Sequence, residues 1–217
     1  GMEFWPEFIL IASVHLVSVA SPGPDFAIVL RYAVRYGRNV ALAASMGIGM
    51  AIFLHVCYSL LGVGLLIKTT PWLFTLFSVL SAAYLAYIGW QAVRSGAPVS
   101  IATDDKAEAI AESPSMLKAF TSGFVTNGLN PKATLFFLSL FAVIISPMTP
   151  VSYKVIYGVY MAGATAVWFA FLSVILTREK VRSFLLRKGY WFDRLMGGVL
   201  LALAMHLIYG AIQSQLH

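Results

Sequence analysis

Charged residues are scarce in this chain. Of its 217 residues, 15 are Lys or Arg and 9 are Asp or Glu, so 11% are charged, against about 25% in an average soluble domain. Hydrophobic residues account for 59%. A soluble fold of this length could not bury so much apolar surface. The composition therefore predicts an integral membrane protein.

Cysteine is almost absent as well. Cys57 is the single cysteine and stands inside an apolar run. One thiol excludes an internal disulfide and paired-thiol redox chemistry, and a soft-metal carrier would be expected to use more than one thiolate. We interpret Cys57 as a small buried hydrophobe.

The chain also lacks the strands of about ten residues, alternating apolar and polar, that build a transmembrane barrel. Its apolar runs are continuous, which favours helices, and a helix needs about 20 residues to cross the bilayer. The sequence therefore predicts an all-α polytopic membrane protein with six transmembrane helices. The predicted segments are 5–36, 40–67, 71–93, 116–145, 155–176 and 191–212.

A polar stretch at residues 94–115 divides these segments into two groups of three. We expect a first three-helix half at residues 1–93, a loop at 94–115 and a second half at 116–217. Because each half has an odd number of spans, the second half enters the membrane the other way up. The sequence thus predicts an inverted 3+3 repeat, with the halves related by an axis in the membrane plane.

The basic residues predict the orientation. Twelve Lys and Arg residues fall in one set of alternate loops and two, Lys68 and Lys154, in the other. Cytoplasmic loops retain Lys and Arg, so we expect three cytoplasmic loops, including 94–115, and both termini outside. The net charge of +6 is spread over these short clusters, which favours lipid headgroups over nucleic acid as the partner.

Two of the predicted helices are interrupted at corresponding places. The first breaks at Ser21-Pro22-Gly23-Pro24-Asp25 and the fourth at Asn127-Gly128-Leu129-Asn130-Pro131-Lys132. Proline removes a backbone donor, and the freed groups are tolerated at membrane depth only against protein or a water-filled cavity. A structural kink is the alternative, but paired breaks in two halves favour a binding site near the midplane.

Each break is followed by a charged residue, Asp25 in the first half and Lys132 in the second. A charge at the helix centre costs at least about 2.5 kcal/mol on insertion scales. Opposite signs could neutralise each other or hold a zwitterion between them. Two alternatives remain: Asp25 as N-cap of a helix that resumes at Phe26, and Lys132 reaching the interface.

Three histidines, His15, His55 and His206, fall inside predicted spans. Their spacing is not that of metal ligands on one helix. We favour structural packing for them, with a proton relay as the alternative. Asp25 and His55 are the candidates for proton coupling.

The stretches SPGPDFAIVLRYAVRYGRNVALAASMGIGM and FTSGFVTNGLNPKATLFFLSLF resemble the LysE-type amino-acid exporter family, particularly its homoserine and threonine exporter branch. The resemblance implies about six spans in the bacterial inner membrane and export driven by the proton gradient. An amide is frequent in the family where this chain has Asp25. The matching motif positions are Pro22, Gly23, Pro24, Asp25, Arg31, Gly37, Arg38, Gly47, Gly49, Asn127, Asn130, Pro131 and Lys132.

We therefore expect a secondary transporter, an antiporter that exports an amino acid in exchange for protons by alternating access. It is expected to be no enzyme and to use no metal or cofactor, with both termini in the periplasm. Its expected partners are the amino acid, protons and the lipid bilayer. The sequence leaves open whether the protein forms a homo-oligomer. The alternatives are a cation or metal exporter or channel, and an intramembrane enzyme. The predicted substrate-binding residues are Pro22, Gly23, Pro24, Asp25, Asn127, Asn130, Pro131 and Lys132.

Overall fold

The computed structural model describes residues 3–21, 23–63, 69–94 and 113–215. Within these ranges the chain forms helices joined by short turns and contains no strand, which confirms the all-helical prediction. Short π-helical segments, Ser59–Val63 and Leu140–Ile144, extend the third and sixth helices. The helices are α1 Phe4–Ala20, α2 Pro24–Tyr36, α3 Arg38–Tyr58, α4 Pro71–Val93, α5 Met116–Gly128, α6 Pro131–Ser139, α7 Val151–Leu176 and α8 Glu179–Gln215.

Two helical segments are long and apolar enough to cross a membrane, Arg38–Gly62 and Val151–Leu176. Helices α1 and α2 form a third candidate if they count as one span, although they are bent by 54° at the first break. For the residues that the structure describes, the count is therefore two or three spans. The arrangement of six spans stays a prediction, and most of the predicted loop 94–115 lies outside the described residues.

Helix α3 is the centre of the packing. It lies against α5 and α7, while α4 packs against α8. A first core cluster, around Ile11, Phe137 and Tyr157, joins α1, α3, α6 and α7. A second, around Val29 and Phe169, joins α2, α3 and α7. The two clusters hold the interrupted helices against the continuous ones.

Glycines permit the close contacts of α3. A Cβ on Gly47 would overlap the carbonyl of Phe120 in α5, and one on Gly123 of α5 would overlap the carbonyl of Ala44. A Cβ on Gly49 would lie 3.1 Å from a backbone oxygen of α7. Small residues allow helix backbones to approach in this way. The motif glycines of α3 therefore have a packing role.

Apolar side chains cover the outside of the bundle and hydroxyl groups are enclosed in it. Leu61 is 86% exposed and Met148 77%, whereas Ser45 and Ser173 are fully buried. This distribution suits a lipid environment. Cys57 is exposed on α3, so its interpretation as a buried residue was wrong; an apolar outer face accommodates a thiol equally well.

The structure also corrects the predicted loop before the last span. The basic stretch at residues 178–190 lies in the predicted loop, but α8 begins at Glu179 and continues through it to Gln215. Lys and Arg are good helix formers. A helix can therefore extend past its apolar part without a break, so that basic composition alone did not mark a loop.

Candidate functional site

The first break separates α1 from α2. Helix α1 ends at Ala20, and the Ser21 hydroxyl donates to the Ser18 carbonyl at 2.7 Å. Helix α2 begins at Pro24, with Gly23 as its N-cap. Asp25 therefore lies inside the first turn, and the alternative that it caps a helix beginning at Phe26 is wrong. Pro22 lies outside the described residues.

The second break separates α5 from α6. Helix α5 ends at Gly128 and α6 begins at Pro131. The side-chain oxygen of Asn130 accepts a hydrogen bond from the Lys132 backbone N–H at 3.0 Å, so Asn130 is the N-cap of α6. Proline suits the position after it because no intrahelical donor is needed there. The local sequence thus explains why α6 starts where it does.

A hydrogen bond joins the two breaks. Asn127 Nδ2 donates to Asp25 Oδ2 at 2.8 Å. The opposite amide orientation would set an oxygen against the carboxylate, so the donor must face Asp25. Within the described part of the chain, no hydrogen bond reaches the buried atoms Asp25 Oδ1 and Asn127 Oδ1. Both oxygens therefore have unused capacity to accept a hydrogen bond.

Lys132 joins the breaks a second time. Its side chain is 7% exposed, and its Nζ donates to the Ser21 carbonyl at 2.9 Å. A Cβ on Gly23 would lie 3.5 Å from this Nζ. Lys132 is thus directed into the protein beside the first break, and the alternative that it reaches the membrane interface is wrong.

One cavity of about 30 Å³ brings these groups together. Aromatic rings of Phe26, Phe136 and Phe169 contribute to its wall. Of the predicted site residues, Pro24 and Pro131 lie at the starts of α2 and α6. The polar and break residues that line the cavity are His15, Ser18, Ser21, Gly23, Asp25, Asn127, Asn130, Lys132 and Thr165.

His55 reaches the site through Asn127. Its Nε2 lies 3.0 Å from the Asn127 backbone oxygen and its Nδ1 2.7 Å from the Tyr58 hydroxyl. A carbonyl only accepts, so Nε2 carries the proton, and Nδ1 of a neutral ring accepts from Tyr58. The ring stacks on Phe137 at 5.5 Å between centroids. His55 thereby holds the end of α5 that carries Asn127.

Sequence reasoning missed two polar clusters. The first surrounds Glu7, which is 1% exposed and accepts hydrogen bonds from Ser146 N at 3.1 Å, Thr149 Oγ1 at 2.7 Å and Tyr157 Oη at 2.9 Å. The second is a hydrogen bond of 2.9 Å between His15 Nε2 and Thr165 Oγ1. One sequence signal could have identified the polar residues of α1: their spacing places them on one face of that helix.

Glu7 and His15 stand eight residues apart with Ile11 between them, and all three are buried on one face of α1. The same face therefore carries a carboxylate near one end and an imidazole at the cavity.

The described residues contain no group of three or more His, Cys, Asp or Glu that could hold a metal ion. His206, the third predicted histidine, is exposed on α8.

The arginines and glycine of the motif lie at the junction of α2 and α3. Gly37 has φ of 99°, a left-handed conformation that favours glycine, and it joins the two helices in one residue. Arg38 Nε donates to Thr177 Oγ1 at 3.3 Å and so connects α3 to the end of α7. Arg31 is exposed. These residues shape the end of the bundle rather than the cavity.

A polar cavity between two interrupted helices, inside a bundle with an apolar exterior, is typical of a membrane transporter. Residues 16–211 match the LysE type translocator family, and the chain belongs to that family. It is therefore a membrane translocator and not an enzyme.

Several relatives match nearly the whole chain, and three illustrate the range. It is 29% identical over 208 residues to the threonine efflux protein of Salmonella typhi, covering 93% of this chain and 97% of that protein. It is 30% identical over 203 residues to the threonine efflux protein of Escherichia coli K12, with the same coverage. It is 26% identical over 204 residues to a membrane protein of Haemophilus influenzae, covering 94% of this chain and 97% of that protein. No solved structure matches the chain.

Proposed function

We propose that this protein exports an amino acid from the bacterial cytoplasm and binds it in the cavity between the two breaks. Membership of the LysE family and the threonine efflux relatives support amino-acid export. One observation carries the assignment of the site. Asp25, Asn127 and Lys132 line the cavity, and Asp25 Oδ1 and Asn127 Oδ1 are buried with no hydrogen-bond donor among the residues that the structure describes.

These groups complement a zwitterion. The substrate ammonium donates to Asp25 Oδ1 and Asn127 Oδ1, and its carboxylate accepts from Lys132, whose ammonium has three donors. Helices α2 and α6 both start beside the cavity. Their N-terminal ends are electropositive and favour the carboxylate.

Coupling to protons follows from the same carboxylate. When the substrate ammonium leaves, Asp25 loses the cation beside its free oxygen, and a bound proton restores that positive charge. A proton on Asp25 would also compete with the next ammonium, which is the condition for exchange. His55 is the second proton-coupling candidate, because it contacts the backbone of Asn127.

Alternating access requires two units that rock about the site. Each predicted half supplies one interrupted helix to the cavity, and the corresponding helices pack in pairs, α3 with α7 and α4 with α8. This pairing supports the inverted repeat, with residues 1–93 superposing on 116–212 after rotation by about 180°. Six spans would place both termini on the same side of the membrane, and the distribution of Lys and Arg makes that side the periplasm.

Transport into everted membrane vesicles tests the proposal. Export becomes uptake in such vesicles. Labelled threonine and other amino acids should therefore accumulate when the vesicle interior is made more acidic than the outside. Collapsing the gradient with an ionophore should remove the accumulation, and vesicles without the protein provide the control. Uptake of cations with no amino-acid uptake would favour the alternative of a cation exporter or channel.

Protease-accessible tags at residues 1 and 217 test the orientation. Both tags should be cleaved from the periplasmic side of intact spheroplasts. Cleavage of the C-terminal tag only after the membrane is opened would contradict the arrangement of three spans in each half. That result would not contradict the proposed amino-acid site, because the site is argued from the two breaks and not from the orientation of the termini.

A further inference from the structure

We propose that His15 and Thr165 form the subsite that recognises the substrate's side chain through a hydroxyl group. This inference rests on the proposed function, in which the two breaks bind the ammonium and carboxylate. The pair lines the same cavity but belongs to α1 and α7 instead of the breaks. His15 is 3% exposed and Thr165 1%.

The hydroxyl of Thr165 differs from several other helical hydroxyls because, among the described residues, it makes no hydrogen bond to its own helix. Ser13, Ser45 and Ser173 each donate to the carbonyl four residues earlier in their own helix, at 2.7 to 2.8 Å. Such a bond is the usual partner of a serine or threonine in an apolar helix. Thr165 instead bonds to His15 across two helices. Its hydroxyl is therefore held at the cavity.

The pair has capacity for one more hydrogen bond. If His15 Nε2 donates, the Thr165 hydroxyl keeps its proton to give; if Nε2 accepts, the Thr165 oxygen keeps lone pairs to offer. A hydroxyl can match either state because it donates and accepts. Phe26, Phe136 and Phe169 line the cavity as well. A short side chain with a hydroxyl would meet apolar walls and one polar pair.

Binding to the purified full-length protein in lipid nanodiscs tests this subsite with matched ligands. Threonine has a hydroxyl where valine has a methyl group, and serine has a hydroxyl that alanine lacks. All four amino acids share the same ammonium and carboxylate groups. We expect wild-type protein to bind threonine about 10-fold more tightly than valine, the effect of one buried hydrogen bond.

The substitution Thr165→Val removes the hydroxyl at nearly constant volume. It should bring the threonine to valine affinity ratio close to 1 and leave valine binding unchanged. Thr165→Ser, which restores the hydroxyl, should keep the preference. Ser173→Ala is the matched control, because Ser173 is a buried hydroxyl on the same helix that bonds to Ser45 instead, and it should not change the ratio.

The outcomes separate this inference from the proposed function. A folded Thr165→Val protein that keeps the full preference overturns the subsite, and so does wild-type protein that binds both members of each pair equally. In either case the amino-acid site at the breaks still stands. If wild-type protein binds none of the four amino acids, the proposed function itself fails. A lost preference with unchanged valine binding supports the subsite.

Discussion

Two carboxylates occupy the interrupted first helix, a fully buried one at Glu7 and a half-buried one at Asp25, and their surroundings differ. Glu7 accepts from a backbone N–H, from Thr149 and from Tyr157, so both of its oxygens are used. Asp25 accepts from Asn127 through Oδ2, while Oδ1 is buried without a donor in the described part of the chain. The protein satisfies the first carboxylate, whereas one oxygen of the second has no donor among the described residues.

The difference has an energetic reason. A carboxylate loses its hydration in an apolar interior, and hydrogen bonds from protein donors offset the loss by about 1.5 to 3 kcal/mol each. Glu7 has the donors that compensate its burial, which suits a structural link between α1, the turn at Ser146 to Pro150 and α7. Asp25 has fewer, which suits a group that binds and releases a cation.

Replacing Asp25 should have the largest effect on function. Asp25→Asn removes the charge that complements the ammonium and the group that takes a proton. We expect proton-driven uptake into everted vesicles to fall about 100-fold, as one or two charge-assisted hydrogen bonds are lost. The amount of protein in the membrane should stay at the wild-type level, measured by immunoblotting of washed membranes. Wild-type uptake by this variant would show that Asp25 is as structural as Glu7.

The double substitution Asp25→Asn with Lys132→Ala tests whether Asp25 has a functional role or, like Glu7, a structural one. Lys132→Ala alone strands Asp25 and should weaken export comparably, because an unpaired buried charge costs several kcal/mol. If the pair binds substrate and protons, the double variant stays inactive although it is inserted and folded. Recovery of uptake together with folding in the double variant would instead indicate a purely structural pair.

Replacing Glu7 should affect stability and spare binding. Glu7→Gln keeps the size of the side chain but sets an amide donor among the donors Thr149, Tyr157 and Ser146. We expect the free energy of unfolding to fall by about 2 to 4 kcal/mol, measured as a lower thermal midpoint in detergent. The affinity for an amino acid at low temperature should be unchanged. A lost affinity at unchanged stability would contradict the assigned structural role.

The smallest effect is expected at the hydroxyl that bonds to Glu7. Thr149→Val removes a donor that lies 2.7 and 2.9 Å from the two carboxylate oxygens, while Tyr157 and the Ser146 N–H remain. The free energy of unfolding should fall by about 1.5 kcal/mol, with the same thermal measurement. Thr165→Val is the matched comparison: it also removes a buried hydrogen bond, the one to His15, but it should in addition change the ligand preference, which Thr149→Val should not. If Thr149→Val and Thr165→Val had equal effects on the free energy of unfolding and on ligand preference, the distinction between the Glu7 cluster and the His15–Thr165 pair would be wrong.

The two breaks illustrate how far local sequence reaches. Proline and glycine within apolar runs identified both interruptions, and Asn130 before Pro131 carries the signature of a helix start. The same local reasoning suggested that Asp25 could cap its own helix, which was wrong. Its partner Asn127 lies 102 residues away. Pairing across such a distance depends on how the helices pack, and one sequence does not contain that information.

Composition, continuous apolar runs and the prolines and glycines within them determined by themselves that this protein is an all-helical membrane protein with two interrupted helices, because burial in lipid restricts both the residues and the backbone. The motifs around the breaks determined the family. Tertiary structure decided which polar groups meet. Glu7 and Thr149, or His15 and Thr165, are ordinary residues in sequence. They become a polar cluster and a candidate subsite only because α1 packs against the turn at residues 146–150 and against α7, which brings each pair within hydrogen-bond distance. Hydrogen bonds act over about 3 Å, so their partners are fixed by packing rather than by position along the chain.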